Sequence, residues 1–547
     1  MKLRDGLFIV LLVLITGLVY QKIYLNGFLF DDQLSYFKSP EINAFERLSK
    51  MYFSPTNDFY EKTPAEYIEA GQIPWWSHPD IHNKSFRPIA GAFRLLDDVL
   101  FYSDARLNYL HSVFWLFLGS LSFFYLLKNL EMSSPILYFG TLFFSFHPIF
   151  STPVSFINNR NILISLFFAI LCILCFVKFL KNEARKNIYL NCSFILFILA
   201  VLSTEQFIAL SALYFVNYKN LKNSKYIHFM MTIFAVLWII YRSVFDYDYR
   251  NSASLYSPYS QTFNWLAEFL KYSFQAPLYW ISGKTFSIFE LFAASLLILF
   301  TYIAVQKTQF KMKVFFPEFH WFICAYCGLL SAAAGVFNPR YLALFHLFFS
   351  IGALLQIDKA CKLINCRSLK IFSFFCITVC TITFATFFKN LDNLKAAWLN
   401  SVLRPTQKLV KYCDRNRFLA VNSPNPYLFL YYAKTGQISD SCLKKIVFFA
   451  ESFSQVKFSS EKNYFILESD SLVSAQFNYF RDFQKNPHLK VGDIVKLANV
   501  SVSVLALTDS GSPKKIKIEY DYDAFSKSGF KSDEQPFIFV DLNSDLI

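Results

Sequence analysis

The sequence predicts an all-α polytopic membrane domain of about eleven transmembrane helices, followed by a small soluble α/β domain. Composition is the first observation behind this prediction: 54% of the 547 residues are hydrophobic, 20% are aromatic and only 17% are charged. A soluble protein of this length carries more charge and fewer aromatic residues. The second observation is that apolar runs of roughly 18 residues or more, enough to cross about 30 Å of hydrocarbon, recur through the first two thirds of the chain.

Each apolar run is justified by its length and by the polar loops that flank it. The predicted spans are 7–25, 106–127, 134–150, 161–180, 187–203, 206–218, 226–245, 285–305, 319–336, 341–357 and 370–388. The first run follows Lys2 and Arg4 but exceeds the roughly 7–15 apolar residues of a signal peptide, and no small-residue cleavage site follows it. We therefore expect the first run to remain as a span.

The third observation is the distribution of positive charge. The chain has a net charge of +14, and its lysines and arginines collect in alternate short loops. Because cytoplasmic loops are enriched in these residues, the N-terminus is predicted in the cytoplasm and the C-terminal domain outside. The charge is thus explained by orientation, and no nucleic-acid partner is expected. Short cytoplasmic loops and the lack of a retention signal favour a bacterial inner membrane over the endoplasmic reticulum.

The predicted domain organisation follows the change in composition. Residues 1–388 form the membrane domain, and 389–547 form the non-cytoplasmic soluble domain. In the latter, apolar and polar residues alternate at 446–449, 500–507, 515–520 and 537–541, which is typical of strands with one buried face.

Residues 26–105 form the first large non-cytoplasmic loop. Its stretch 86–101 places Ile89, Phe93 and Leu96, with Leu100, on one face of a helix and charges on another. This pattern predicts an amphipathic helix that lies in the membrane interface.

In this topology, polar residues converge on the non-cytoplasmic face of the membrane domain. Asp31 and Asp32 follow the first span, where carboxylates are costly to desolvate. The other candidates from topology alone are His147, Asn159, Arg160, Glu205, Arg340 and Tyr341. Carboxylates accept protons and arginines hold phosphate, so the set suits a reaction on an anionic lipid headgroup.

These residues also have structural explanations. Arg160 and Arg340 are of the type that snorkels to lipid headgroups. His147 precedes a proline and so marks the end of a span, and Glu205 follows Ser203 and Thr204 at the start of a helix.

Metal binding is not predicted. The two histidines and the aspartate of His78-Pro-Asp80-Ile-His82 have a spacing compatible with a metal site, but an ordinary polar loop explains them better.

Six short motifs, in order along residues 7–360, resemble those of the GT-C superfamily of polytopic glycosyltransferases. The likeness is to the branch that contains protein O-mannosyltransferases and their bacterial relatives. Those bacterial relatives carry TPR repeats, and no such repeats are found in this sequence. The motifs are Asn26-Gly-Phe-Leu-Phe-Asp31-Asp32, Arg87-Pro-Ile89, Asn108-Tyr-Leu-His111, Phe146-His-Pro148 with Val154 to Arg160, Leu202-Ser-Thr-Glu205, and Arg340-Tyr-Leu342.

The resemblance implies an inverting transfer of a sugar from a polyprenyl-phosphate donor to a hydroxyl acceptor on a lipid, glycan or protein. Asp31 would be the general base and Asp32 its orienting partner, while Arg160, Arg340 and Arg87 would bind the donor phosphate. It adds His111 to the substrate-site candidates His147, Asn159, Glu205 and Tyr341. No cofactor is required, and a divalent cation is not supported.

Three departures from the family pattern concern specificity and activity: Ile162 replaces an acidic residue, Thr204 replaces a lysine, and the acidic residue usual soon after the His-Pro motif is absent from Ile149-Phe-Ser-Thr-Pro153. Three alternatives remain. A lipid-linked saccharide transporter or flippase predicts charged residues near the membrane midplane. A polysaccharide polymerase or ligase moves a whole glycan rather than one sugar. A non-catalytic membrane scaffold tolerates loss of Asp31 and Asp32.

Overall fold

The computed structural model describes part of the chain. The described residues are 3–24, 64–69, 74–79, 82–83, 87–101, 104–181, 186–216, 234, 249–250, 321–325, 327, 342–363, 381–396, 418–422, 446–450, 457–460, 464–470, 472–473, 489–497, 500–520 and 537–541. Asp31, Asp32, Arg340 and Tyr341 lie outside the described residues, as do the spans expected at 285–305 and, apart from Phe234, at 226–245.

The chain divides into two compact units. The first comprises Met1–Phe28, Phe86–Phe245 and Pro258–Leu394, and the second comprises Leu29–Ser85, Asp246–Ser257 and Lys395–Ile547. The first unit ends at Leu394, six residues after the domain boundary predicted at 388/389.

The described part of the first unit is helical. Its main helices are α1 Leu3–Ile23, α2 Pro88–Leu100, α3 Ala105–Asn129, α4 Ser134–Ser145, α5 Arg160–Lys181, α6 Lys186–Ser203, α7 Ala343–Leu363 and α8 at 381–396. Three stretches, Leu3–Ile23, Ala105–Asn129 and Ile157–Lys181, are long and apolar enough to cross a membrane. A helical unit whose helices include three long and apolar enough to span a membrane is thus confirmed for the described residues, whereas the full set of eleven spans stays a prediction.

Two predicted spans differ from the observed helices. The run at 134–150 is helical only to Ser145, because His147 adopts the extended conformation (φ −69°, ψ 139°) that a following proline favours. The chain then continues as the short helical turns Pro148–Phe150 and Ser151–Ser155. The run at 206–218 is described as far as residue 216, as a 3-10 helix over Glu205–Ser211 followed by an α-helical turn over Ala212–Val216.

Polar contacts show that α1 runs antiparallel to α3, whereas α3 and α5 run in the same direction. Lys128, near the end of α3, pairs with Asp5 at the start of α1 (2.7 Å), and Tyr138 of α4 donates to the same carboxylate (2.9 Å). Lys181, at the end of α5, donates to the Asn129 carbonyl at the end of α3 (2.6 Å). These contacts define the Asp5 end of the unit. Its opposite, the Arg160 end, contains the start of α3 and the start of α5.

Helix α2 confirms the amphipathic helix expected at 86–101. Its apolar side chains Leu96, Val99 and Leu100 are 43%, 70% and 60% exposed, whereas its polar face, with Arg94 and Asp97, is buried against the protein. The helix is thus observed, and its placement in the membrane interface stays a prediction.

The second unit contains a short helix, Pro64–Glu69, and three sheets. A two-residue ladder pairs β1 (His82–Asn83) with β2 (Tyr249–Arg250). A parallel sheet has the order β10-β3-β4, with β3 Phe418–Asn422, β4 Ile446–Ala450 and β10 Phe537–Asp541.

The largest sheet is antiparallel, in the order β5-β6-β9-β8-β7. Its strands are β5 Lys457–Ser460, β6 Tyr464–Glu468, β7 Ile494–Lys496, β8 Val500–Leu507 and β9 Pro513–Tyr520. Val500, Val502 and Val504 of β8 are buried, while the residues between them are less so, which confirms the alternation seen in the sequence.

Candidate functional site

A buried ionic network occupies the Arg160 end of the helical unit. Asp97 of α2 accepts hydrogen bonds from Arg160 of α5 and from His111 of α3, and it is fully buried. Its two carboxylate oxygens are divided between them, Oδ1 facing His111 and Oδ2 facing Arg160. Asp97 therefore ties α2 to two long helices.

Arg160 is 3% exposed and uses all three of its nitrogens inside the protein. Besides the bond to Asp97, Nε donates to Ser112 Oγ (2.9 Å) and NH2 donates to the Asn108 carbonyl (2.7 Å). This pattern suits guanidinium, whose planar fork of donors satisfies several acceptors at once. The start of α5 is thereby anchored to the first turns of α3.

His111 is held in one tautomer by its neighbours. The Trp115 indole donates to His111 Nε2 (2.9 Å), so the ring proton lies on Nδ1, which donates to Asp97. The His111 side chain is only 11% exposed, and Phe93 lies over it edge-on at 6.3 Å between ring centroids. Both ring nitrogens are thus engaged within the protein.

Asp97 keeps its charge despite its burial. Burial raises the pKa of its carboxyl group, but the positive charge of Arg160, the hydrogen bond from His111 and the positive charge of Arg94 lower it, and the net pKa lies below its usual value. The carboxylate is therefore the ionised partner of a buried ion pair at neutral pH.

A second ion pair joins the other end of α2 to Glu205. Arg87 precedes the first helical residue, Pro88, and donates from Nε and NH2 to the two oxygens of Glu205, at 2.9 and 2.8 Å. The side chains are 20% and 19% exposed, so both can be reached from outside the protein. Such a bidentate pair combines charge with a fixed orientation.

A histidine pair lies further inside the unit. The rings of His147 and His346 are 4.3 Å apart between centroids, and each residue is 1% exposed. The His346 ring also stacks on Phe144 at 4.8 Å, and its Nε2 lies 3.3 Å from the Phe144 carbonyl oxygen. The pair packs α7 against the end of α4.

The structure brings several predicted site residues into contact. Arg87 meets Glu205, 118 residues away, and His111 meets Arg160, 49 residues away. Asn159 ends a 3-10 turn directly before Arg160. The structure describes no contact for Asp31, Asp32, Arg340 or Tyr341, since these residues lie outside its described part.

Asp97 and His346 were not predicted from the sequence. Asp97 belongs to the charged face of the helix expected at 86–101, which the sequence assigns to water, although Arg94 three residues earlier marks the same face. His346 lies in an apolar run and carries no local signal.

A metal centre has no support in the part of the chain that the structure describes, where no group of three or more histidine, cysteine, aspartate or glutamate side chains is placed to hold an ion.

Comparison with known protein families, with curated proteins and with solved structures finds no match.

Proposed function

We propose that this protein is an integral membrane glycosyltransferase that moves a sugar from a polyprenyl-phosphate donor to a hydroxyl acceptor on the non-cytoplasmic face, with inversion. The observation that supports it is the assembly of charged residues at the Arg160 end. Four residues taken from separate GT-C-like motifs, Arg87, His111, Arg160 and Glu205, form two directly contacting pairs there. Sequence neighbours do not account for these pairs, because at least 49 residues separate the partners.

The positions of these residues suit an anionic headgroup. Arg87 is partly exposed and stands at the N-terminal end of α2, where the helix dipole adds positive character. A phosphate that competes with Glu205 for the Arg87 fork would gain two charge-assisted hydrogen bonds. The leaving group of the proposed reaction is a lipid phosphate, which needs stabilising charge more than a proton.

The sequence motifs suggest that Arg160 binds the donor phosphate directly, but in this proposal it acts indirectly. Because its nitrogens are engaged with Asp97, Ser112 and Asn108, it contributes positive charge beneath the site rather than direct bonds to phosphate. Arg87 and Arg340 are then the direct phosphate ligands. Asp31 remains the proposed general base, since a hydroxyl acceptor becomes a strong nucleophile only as its proton is removed.

The distribution of charge favours an enzyme over a transporter. A transporter for charged saccharide lipids is expected to carry ionisable residues near the middle of its spans. In the described part of the first unit, the ion pairs lie near helix ends. Arg87–Glu205, Asp97–Arg160 and Lys22–Asp392 lie at one end, and Asp5–Lys128, Lys181–Glu131 and Asp358–Lys362 lie at the other.

The test is sugar release from a panel of polyprenyl-phosphate sugars by the purified protein in lipid discs. Wild type is expected to release sugar from at least one donor. Arg87→Gln should reduce turnover about 100-fold, the typical effect of removing one donor to a developing anion. Asp31→Asn should abolish transfer to a hydroxyl acceptor.

Asp5→Asn is the matched control, because it removes a carboxylate from an ion pair at the opposite end of the same helices. It should leave turnover within about twofold of wild type, the behaviour of a change remote from the chemistry. The proposal fails if folded wild type releases no sugar from any donor, or if Arg87→Gln and Asp31→Asn both retain wild-type turnover.

A further inference from the structure

We propose that Asp97 is a positioning residue of the donor site, which it serves by fixing the interfacial helix α2, and with it Arg87, relative to the long helices. The inference rests on the proposed glycosyl transfer. Nothing in the sequence motifs points to Asp97, and it is the geometry of the buried network that assigns it this part.

Helix α2 is attached near both ends by ion pairs. Arg87–Glu205 holds its beginning, and Asp97 with Arg160 and His111 holds it near its end. Ten residues of helix separate Arg87 from Asp97, which is about 15 Å at 1.5 Å per residue. Because a short helix is stiff over this distance, a shift at Asp97 is transmitted to Arg87.

Asp97 contributes much of the force that fixes the position of α2. The apolar side chains Leu96, Val99 and Leu100 are exposed on the other face of the helix, so they contribute little packing against the protein. Lipid contact alone does not define the rotation or depth of an interfacial helix. The bonds from Asp97 to two different helices define both, since its oxygens face different partners.

Arg160 and His111 hold Asp97 in turn. Arg160 is anchored to α3 through Ser112 and the Asn108 carbonyl, and His111 is oriented by Trp115. Both partners of Asp97 are therefore held in place before any substrate binds. A displacement of a binding group by about 1 Å can cost about 100-fold in rate, so this support matters for catalysis.

The decisive variant is the charge-balanced pair Asp97→Asn with Arg160→Gln. Removing both charges avoids the unpaired buried charge that either single substitution leaves, and the new amide at position 97 still accepts from His111. We expect the doubly substituted protein to fold, with its unfolding temperature close to wild type. We expect kcat for sugar release to fall about 100-fold. Because Arg160 also supplies positive charge beneath the site, Asp97→Asn alone, which keeps that charge, should show the same loss of kcat in its folded fraction.

If Asp97 had only a structural role, the substitutions would lower the amount of folded protein but leave kcat of the folded fraction unchanged. Recovery of wild-type kcat in the charge-balanced protein would therefore overturn the proposal. Asp5→Asn with Lys128→Gln is the matched control: it neutralises the ion pair at the other end of α3 and should leave kcat unchanged.

A second readout separates this inference from the proposed function. A spin label at Val99→Cys on the exposed face of α2 should become more mobile in the charge-balanced protein, whereas a label at the exposed Ile188 of α6 should not. If wild type releases no sugar but the label at Val99 is mobilised, the proposed function is wrong and the helix support stands. An unchanged label at Val99 overturns the support itself.

Discussion

Asp97 carries a full charge inside the protein because two arginines and the N–H group of a histidine face it from three helices. Arg94 lies on its own helix, Arg160 on α5, and the His111 proton on α3. Removing the carboxylate leaves the Arg160 guanidinium buried without its ionic partner. For buried ion pairs, such a loss costs about 3–5 kcal/mol of unfolding free energy.

The stability of the Asp97 network should therefore depend on pH. The folded-state pKa of Asp97 is lowered, so its contribution is fully present above the unfolded pKa of about 3.9 and is lost as the pH falls through the folded value. Thermal unfolding in lipid discs should show a gap between wild type and Asp97→Asn at pH 7 that narrows below about pH 4. A gap that stays constant down to pH 3 would contradict the ionised pair.

At the scale of single residues, sequence reasoning found the partners of this network but not its centre. Arg160 and His111 stood out because a lone arginine and a motif histidine are unusual beside apolar runs. Asp97 did not, because a charged residue on an amphipathic helix faces water by default. Whether that face meets water or protein depends on which other helices pack against it. Those helices lie far along the chain, so the local periodicity of the sequence does not identify them.

At the scale of elements, sequence patterns located the regular elements well. The runs expected at 106–127, 161–180 and 187–203 appear as helices Ala105–Asn129, Arg160–Lys181 and Lys186–Ser203, within a few residues. Strand β8 was expected at 500–507 and is observed there. Hydropathy failed at 134–150, where the backbone constraint before Pro148 ends a helix inside an apolar run.

The contact between α4 and α7 depends on a glycine. A Cβ atom at Gly140 would lie 2.6 and 2.9 Å from the two terminal methyl carbons of Leu354, closer than packed atoms approach. Because the end of the Leu354 side chain can shift, Gly140→Ala should destabilise the helical unit by about 1 kcal/mol, the low end of the range for overpacking. Unfolding of the purified protein in detergent measures this change.

Two comparisons sharpen the prediction for Gly140. A Cβ at Gly17 of α1 would meet nothing within 4 Å, so Gly17→Ala should be neutral or stabilising by up to about 1 kcal/mol through helix propensity. Leu354→Ala removes the clashing methyl groups, so Gly140→Ala should cost less in that background. Equal costs of Gly140→Ala in the two backgrounds would show that Leu354 is not the cause.

At the scale of the whole molecule, the two ends of the helical unit differ in chemistry. The Asp5 end carries lysines near the ends of α3 and α5, paired with Asp5 and Glu131. The Arg160 end carries arginines paired with Asp97 and Glu205. It also carries a lysine, Lys22 at the end of α1, which pairs with Asp392. Lysine-rich ends are typical of the cytoplasmic side, so we expect the Arg160 end, with the proposed chemistry, to face outside.

This orientation can be measured on α3 alone. Its 25 residues span about 37 Å, enough to separate the two ends across a bilayer. The exposed residues Asp104 and Glu131 flank the helix, and each can be replaced by cysteine after the accessible native cysteines are removed. A membrane-impermeant maleimide should label Asp104→Cys in intact cells and Glu131→Cys only after permeabilisation. The reverse labelling pattern would place the Arg160 end in the cytoplasm. A lipid-linked donor on the outer leaflet could not reach it there, so the proposed reaction on the non-cytoplasmic face would be wrong.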